Sequence, residues 1–434
     1  KEYRRQRQMC IRDSNIADTL IVSRFLGANA LAAVGSSYTL MTFLTSILLG
    51  MCMGSGAAFS IWYGQKDRKR LKEGMVHAFG LIAAVTIVLN VLVFAGFPLI
   101  LRLLQVPTEV TPYMEEYLKI IFAGISATFL YNYYAALLRA IGNSVVPLVF
   151  LGVSAVLNII LDFLFVFTFQ RGVGGAAEAT VIAQFVSGIG IAFYTQKYFP
   201  ELRVSLKEIH FKGKMLNEIA GFSFLTCMQQ SIMNFGILMV QGLVNSFGPV
   251  VMAAFAAAVK IDSFAYMPVQ DFGNAFSTFI AQNYGAKKFE RIQKGIKSAV
   301  MTSVLFCVVI SGAVFIFAEP LMKIFVSGAE KEIISVGVEY LRIEGSFYFG
   351  IGILFLLYGL YRAVKLPGMS VVLTILSLGT RVALAYGLSA IPMIGVRGIW
   401  AAVPIGWILA DAVGVIYYIK NKGKIEKALG GKTC

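Results

Sequence analysis

Long apolar runs separated by short polar loops recur along the whole chain. Runs such as 81–101 and 145–169 are apolar on every helical face rather than alternating. About twenty such residues cross roughly 30 Å of hydrocarbon as a helix, whereas a membrane barrel strand alternates over about ten. The pattern predicts an all-α membrane protein with twelve spans, at 15–30, 36–61, 75–101, 117–138, 145–169, 174–196, 219–246, 251–282, 297–318, 336–361, 368–391 and 396–419. The longest polar connection, 197–218, carries Lys197, Arg203, Lys207, Lys212 and Lys214 and reads as the linker between two halves. The first span is defective. Residues 1–14 are too polar to cross a bilayer, and the apolar run after them contains Asp18 and Arg24. Residues 1–14 therefore read as an atypical, foreign or mis-joined segment, and the first helix as truncated. A short re-entrant helix is the alternative.

The two halves match block by block. Tyr63-Gly64-Gln65-Lys66 recurs as Tyr284-Gly285-Ala286-Lys287 at an offset of 221 residues, Phe97-Pro98-Leu99 as Glu319-Pro320-Leu321 at 222, and Glu116-Tyr117-Leu118-Lys119-Ile120 as Glu339-Tyr340-Leu341-Arg342-Ile343 at 223. Leu137-Leu138-Arg139-Ala140 recurs as Leu360-Tyr361-Arg362-Ala363, and Gly172-Val173-Gly174-Gly175 as Gly395-Val396-Arg397-Gly398, both at 223. Blocks in one order at a nearly constant offset mean an internal repeat. Six spans per half make the repeats parallel, an arrangement that suits a transporter rocking between two openings. The expected organisation is the 1–14 segment, an N-lobe over 15–200, a cytoplasmic linker over 201–217, a C-lobe over 218–420 and a basic tail over 421–434.

Charge orients this array and removes other classes of protein. Of the 434 residues 58% are hydrophobic and 14% charged, against about 25% charged in soluble domains. The net charge of +15 sits in short loops, where it sets topology and meets anionic headgroups; it is not read as a nucleic-acid footprint. The loop Lys66-Asp67-Arg68-Lys69-Arg70-Leu71-Lys72, the loop carrying Lys287, Lys288, Arg291, Lys294 and Lys297, the linker and the tail all fall on one side. By the positive-inside rule both termini are cytoplasmic, in a bacterial-type inner membrane. The five cysteines are too scattered for a disulfide framework or a zinc site. His77 and His210 are the only histidines and lie near cytoplasmic ends, and no nucleotide-binding loop is visible. A membrane-embedded enzyme and direct ATP drive are both disfavoured.

Ionisable groups inside a span cost about 2.5–3.5 kcal/mol on insertion scales and are functional suspects by default. Asp18 and Asp162 are the first-half acids. Asn158 precedes Asp162 by one helical turn, so both face the same way, and Thr180 lies early in the next span. Carboxylate, amide and hydroxyl oxygens suit a hard cation such as Na⁺, and two neighbouring acids equally suit a proton. The alternative is that Asn158 and Asp162 only hydrogen-bond adjacent helices. In the second half Gln229, Lys260, Asp262, Asp271 and Arg381 are candidates for a substrate cavity, or for paired charges that stabilise the lobe. Pro268 removes a helix donor between Asp262 and Asp271 and permits bending.

Asp18-Thr19, Gly27, Leu31-Ala32-Ala33-Val34-Gly35 and Tyr63-Gly64-Gln65-Lys66 together resemble the opening of the MATE (multidrug and toxic compound extrusion) family. Ala281-Gln282-Asn283-Tyr284-Gly285-Ala286, Arg139-Ala140-Ile141-Gly142-Asn143 and Gly172-Val173-Gly174-Gly175-Ala176-Ala177 extend the likeness over nearly the whole chain from about residue 15. The resemblance implies export of amphipathic or cationic organic compounds by a monomeric antiporter in the lipid bilayer. The coupling ion is Na⁺ or H⁺, with no cofactor. It places the family's leading acid on Asp18. In its DinF-like branch it places an N-lobe cation group on Asn158, Asp162 and Thr180, with a cavity tyrosine on Tyr117; Na⁺ would be held by Asp18, Asn158, Asp162 and Thr180. The glutamate that other members use in the seventh helix is absent, since the region reads Cys227-Met228-Gln229-Gln230-Ser231. A flippase for lipid-linked precursors is the main rival, and it would want several arginines in its cavity. A channel is less favoured, because the first-half site acids lack counterparts in the second half.

A cysteine replacing Lys69, in a background stripped of native cysteines, is expected to react with a membrane-impermeant thiol reagent in inverted vesicles and to stay unlabelled in intact cells. Labelling in intact cells would reverse the orientation.

Overall fold

The computed structural model describes residues 28–103, 110–204, 212–326 and 330–428. Among these residues the chain is helical and contains no strand. The helices are α1 (Ala28–Gly64), α2 (Arg68–Leu103), α3 (Thr111–Ala123), α4 (Ile125–Ala140), α5 (Val145–Asp162), α6 (Gly172–Tyr198), α7 (Gly213–Asn245), α8 (Pro249–Gly285), α9 (Phe289–Phe325), α10 (Lys331–Gly345), α11 (Tyr348–Ala363), α12 (Pro367–Ser389) and α13 (Val396–Ala428). Among the described residues, eight segments are long and apolar enough to cross a bilayer. The pairs α3–α4 and α10–α11, bent by 43° and 51°, raise the number to ten. The protein is a multi-span membrane protein. Residues 15–27 of the expected first span lie outside the described residues. The helix α7 is not among the ten; Gln229, Gln230, Asn234 and Gln241 make it more polar than its neighbours.

The chain forms two compact units. One runs to Cys227 and the other begins at Met228, with Gly64–Lys66 assigned to the second. The dividing line thus falls inside α7, C-terminal to the 201–217 linker.

The sequence repeat recurs in the backbone. Left-handed φ angles occur at Lys66 and Lys287 (59° and 54°), at Gly142 and Lys365 (92° and 64°), and at Gly172 and Gly395 (62° and 52°). Each pair is separated by 221 or 223 residues, the offsets of the sequence blocks. Side chains rarely adopt this conformation, so its return at matching positions fixes the same turns in both halves. The bends match as well: α3 gives way to α4 at Gly124, and α10 to α11 at Ser346 and Phe347.

Within the first unit, α4 and α5 both pack on α6. The helix α5 is turned inside out relative to a soluble helix. Val149, Val153, Val156 and Ile160 form an exposed apolar face, while Asn158 and Asp162 are buried. Apolar faces outward and polar groups inward are what a lipid surround selects. The helix α1 is the most enclosed span, and Leu48, Phe59, Ile61 and Trp62 are fully buried along it. It meets the start of α7 closely: Ser55 and Ser223 share a hydrogen bond of 2.8 Å, and a Cβ at Gly54 would run into the Phe222 carbonyl. Small residues at helix contacts allow such approach. In the second unit, Phe255, Tyr340 and Trp400 join α8, α10 and α13 around one core, with Phe255 stacked on Trp400 at 5.4 Å and Tyr340 edge-on at 4.9 Å.

Gly54→Ala is expected to cost about 1–3 kcal/mol through overpacking against α7. Gly80→Ala, whose Cβ meets nothing within 4 Å, is expected to be neutral or stabilising by up to about 1 kcal/mol. Thermal unfolding of the two purified variants, followed by size-exclusion chromatography, separates the cases.

Candidate functional site

The helix α5 delivers Asn158 and Asp162 to the interior of the first unit. Its apolar face needs lipid, so its polar turn must point the other way. Asn158 donates through Nδ2 to Thr180 Oγ1 at 3.3 Å, and Thr180 donates onward to the Ala176 carbonyl at 3.1 Å. Asp162 lies one turn further along α5 and is completely enclosed. Immediately after it the helix widens into a π-turned segment, Phe163–Thr168, before α6 begins. Such widened turns accompany functional sites in many helices. Tyr117 is buried on α3, which packs against α6. The structure therefore brings Asn158 and Thr180 into contact and sets Asp162 beside them on the same face. Asp18 lies outside the described residues.

The second unit holds a different cluster. Asp262 on α8 and Glu344 at the end of α10 are both buried, and their carboxyl groups are neighbours. Arg381, half-buried on α12, acts electrostatically on both. The Tyr340 hydroxyl serves Glu344 from one turn earlier, and Tyr348 borders Asp262. Asp262 Oδ1, Glu344 Oε2 and Arg381 Nε each lack a hydrogen-bond partner. Lys260, two residues from Asp262, is on the opposite side of α8, exposed, and makes no ion pair among the described residues. The base beside Asp262 is Arg381. Asp271 is exposed. Gln229 is buried on α7 and faces Arg362, whose Nη2 lies 3.5 Å from its Oε1.

The two clusters occupy corresponding places. Arg381 stands 223 residues after Asn158, and Tyr340 stands 223 after Tyr117, the repeat offset. Ala385 stands where Asp162 does, and it too is fully buried. The position of the Asn158 amide in the first half is taken by the Arg381 guanidinium in the second, and that of the Asp162 carboxylate by the Ala385 methyl.

Sequence reasoning missed Glu344, Arg362 and Asp411, all buried. A signal for each was present. Glu344 follows Tyr340 by one turn inside an apolar span, Arg362 ends another span, and Asp411 is the only acid between Val396 and Ile419. Each was a charge in hydrocarbon that deserved the default suspicion given to Asp162.

With this geometry in place, known proteins give it a context. The MatE family description matches residues 8–164 and 223–387, which is most of the chain and covers both halves. The chain belongs to the MATE family. Among its relatives, the probable multidrug resistance protein YpnP of Bacillus subtilis is 29% identical over 419 residues, covering 94% of this chain and 91% of that one. The probable multidrug resistance protein NorM of Thermotoga maritima is 25% identical over 414 residues, covering 94% and 88%. Among solved structures, a MATE protein in a bent conformation superposes with a TM-score of 0.90 at 21% identity, covering 96% and 92%. A MOP-superfamily transporter from Pyrococcus furiosus, described as having a binding pocket of reversed polarity, also gives 0.90 at 21%, covering 99% and 95%. At that identity the structural likeness speaks for the fold. This MATE chain is thus a member of a family of multidrug efflux transporters, and its relatives are named as multidrug resistance or multidrug export proteins.

Removing one partner of a buried charge cluster leaves the others uncompensated, which costs a few kcal/mol. Arg381→Met alone is expected to lose about 3 kcal/mol of stability. Adding Asp262→Asn and Glu344→Gln should recover most of that loss, as read from thermal midpoints of the purified variants.

Proposed function

We propose that the chain is a secondary active antiporter. It exports amphipathic or cationic small organic compounds in exchange for Na⁺ or H⁺, by alternating access, from an inner membrane in which both termini are cytoplasmic. The observation that carries this reading is the enclosed Asn158, Asp162 and Thr180 group of the first unit. A carboxylate buried in a lipid-surrounded helix is costly, and a cycle that loads it with a cation and then empties it gives that cost a use. Oxygen donors from a carboxylate, an amide and a hydroxyl fit a hard cation, and the carboxylate alone fits a proton. Asp18 and Tyr117 are assigned to the same cavity, and the whole group follows the DinF-like pattern of the family. Occupancy by a cation biases which conformation is favoured only as far as the cation binds the two states differently. The adjoining π-turned segment after Asp162 is a place where such a bias can act on the helix. The names of the multidrug relatives support small organic compounds as the cargo.

The test is uptake into inverted vesicles with Na⁺ and pH gradients imposed separately. The wild type is expected to accumulate a fluorescent cationic dye under one gradient and not in its absence. Asp162→Asn is expected to abolish the gradient-driven part while the purified variant still folds and binds dye. Transport at the wild-type rate by both Asp162→Asn and Asp18→Asn would overturn the coupling site.

A further inference from the structure

The second unit contains a small, open-sided recess of about 10 Å³ lined by Gln229, Gln230 and Met233 of α7, Gln270 and Asn274 of α8, and Phe355, Tyr358 and Arg362 of α11. Its composition is unusual for the interior of a membrane protein. Four carboxamide side chains surround one guanidinium, and no carboxylate is among the lining residues. Arg362 is only 5% exposed. Its one hydrogen bond is long, 3.5 Å from Nη2 to Gln229 Oε1, and its Nε has no partner. It makes no ion pair among the described residues. A guanidinium carries five donors in a planar fork, and here most of them are unclaimed.

A buried cation without a counter-ion is unfavourable unless something else supplies the negative charge. The repeat sharpens the point. The counterpart of Arg362 in the first half is Arg139, and Arg139 is exposed, where water serves it. Only the second-half arginine is enclosed, and only it is ringed by amides. Carboxamides can donate to an oxyanion while accepting from the guanidinium, so they extend the fork without cancelling its charge. On one flank Phe355 stacks with Tyr266 at 6.4 Å and meets Tyr358 edge-on at 6.2 Å. This places a flat aromatic surface beside the charged end.

We infer that this recess receives the oxyanion of an amphipathic cargo, with Arg362 donating to a carboxylate or similar group at its mouth and the cargo's ring lying outside it. The inference rests on the efflux reading and extends its cargo to organic anions or zwitterions. Gln229, Gln230, Gln270 and Asn274 complete the shell. The guanidinium fork matches a planar oxyanion better than an ammonium does.

The experiment compares naphthoate with naphthamide, the same ring with and without the negative charge. Binding to the purified full chain in phosphatidylcholine nanodiscs is followed by isothermal titration with no ion gradient, so a failure of gradient coupling does not affect it. The wild type is expected to bind naphthoate about tenfold or more tighter than naphthamide, as hydrogen bonds to a charged partner imply. Arg362→Gln should bring the two affinities together. Arg362→Lys keeps the charge, and with it the folded state should Arg362→Gln prove unstable; it should retain only part of the preference. Equal affinities in the wild type, or a full preference in Arg362→Gln, would overturn the subsite. A second arm uses phosphatidylglycerol nanodiscs. Loss of the preference there would assign the recess to an anionic lipid headgroup and overturn the cargo reading, whereas an unchanged preference supports it.

Discussion

Hydrocarbon offers no partner to a charge, and that single constraint organises each unit of this protein. A helix in lipid can be apolar on all sides, but an ionisable residue must be rotated inward and given company. The helix α5 shows the consequence. Its valines face outward, and Asn158 and Asp162 consequently face inward, where Thr180 of α6 meets Asn158. The second unit obeys the same rule with other residues: Asp262, Glu344 and Arg381 compensate one another in the interior, while Lys260, which has no such company, stays exposed. The polar minority in each helix thus sets its rotation, and the apolar majority follows.

The repeat conserves backbone more strictly than chemistry. Turns with left-handed φ return at matching positions even where Gly142 in the first half becomes Lys365 in the second. The contact between the third and sixth helices of the first half also returns in altered form. Glu116 closes on Gly174, a glycine that leaves it room, whereas at the matching positions Glu339 pairs with Arg397 at 2.5 Å. Turn geometry is fixed by chain connectivity and admits few alternatives. An interior polar cluster only has to be balanced, and many sets of residues balance. This is why one half carries an amide, hydroxyl and carboxylate group and the other a two-acid, one-arginine group in corresponding places.

Buried polar atoms left without a hydrogen-bond partner cost stability. Asp262 Oδ1, Glu344 Oε2, Asp411 Oδ1 and Arg362 Nε have no hydrogen-bond partner, and a protein that only had to be stable would gain by replacing them with well-packed apolar side chains. Their retention fits a protein that must offer and withdraw binding groups through a cycle. The chemistry is also segregated within the second unit. Asp262 and Glu344 meet between α8 and α10, whereas the Arg362 guanidinium of α11 sits among amides and reaches one of them at 3.5 Å.

The sequence by itself determined the helical class, the membrane setting, the internal repeat and the family. These depend on run length, loop charge and spacing, which are properties of the chain as a string. It also singled out Asn158, Asp162 and Thr180, because one helical turn and a short hairpin fix which of them can meet. Long-range pairing was beyond its reach. Asp262 and Arg381 are far apart in the chain, and the adjacent Lys260 looked like the natural partner of Asp262 until the rotation of α8 separated them. Glu344 lies inside an apolar span and Arg362 at the end of one, and only the fold showed that one is packed against a second acid and the other enclosed by amides. Periodicity gives the face on which a residue lies; which element that face meets is set by the packing of the whole unit, since several helices compete to cover the same polar group.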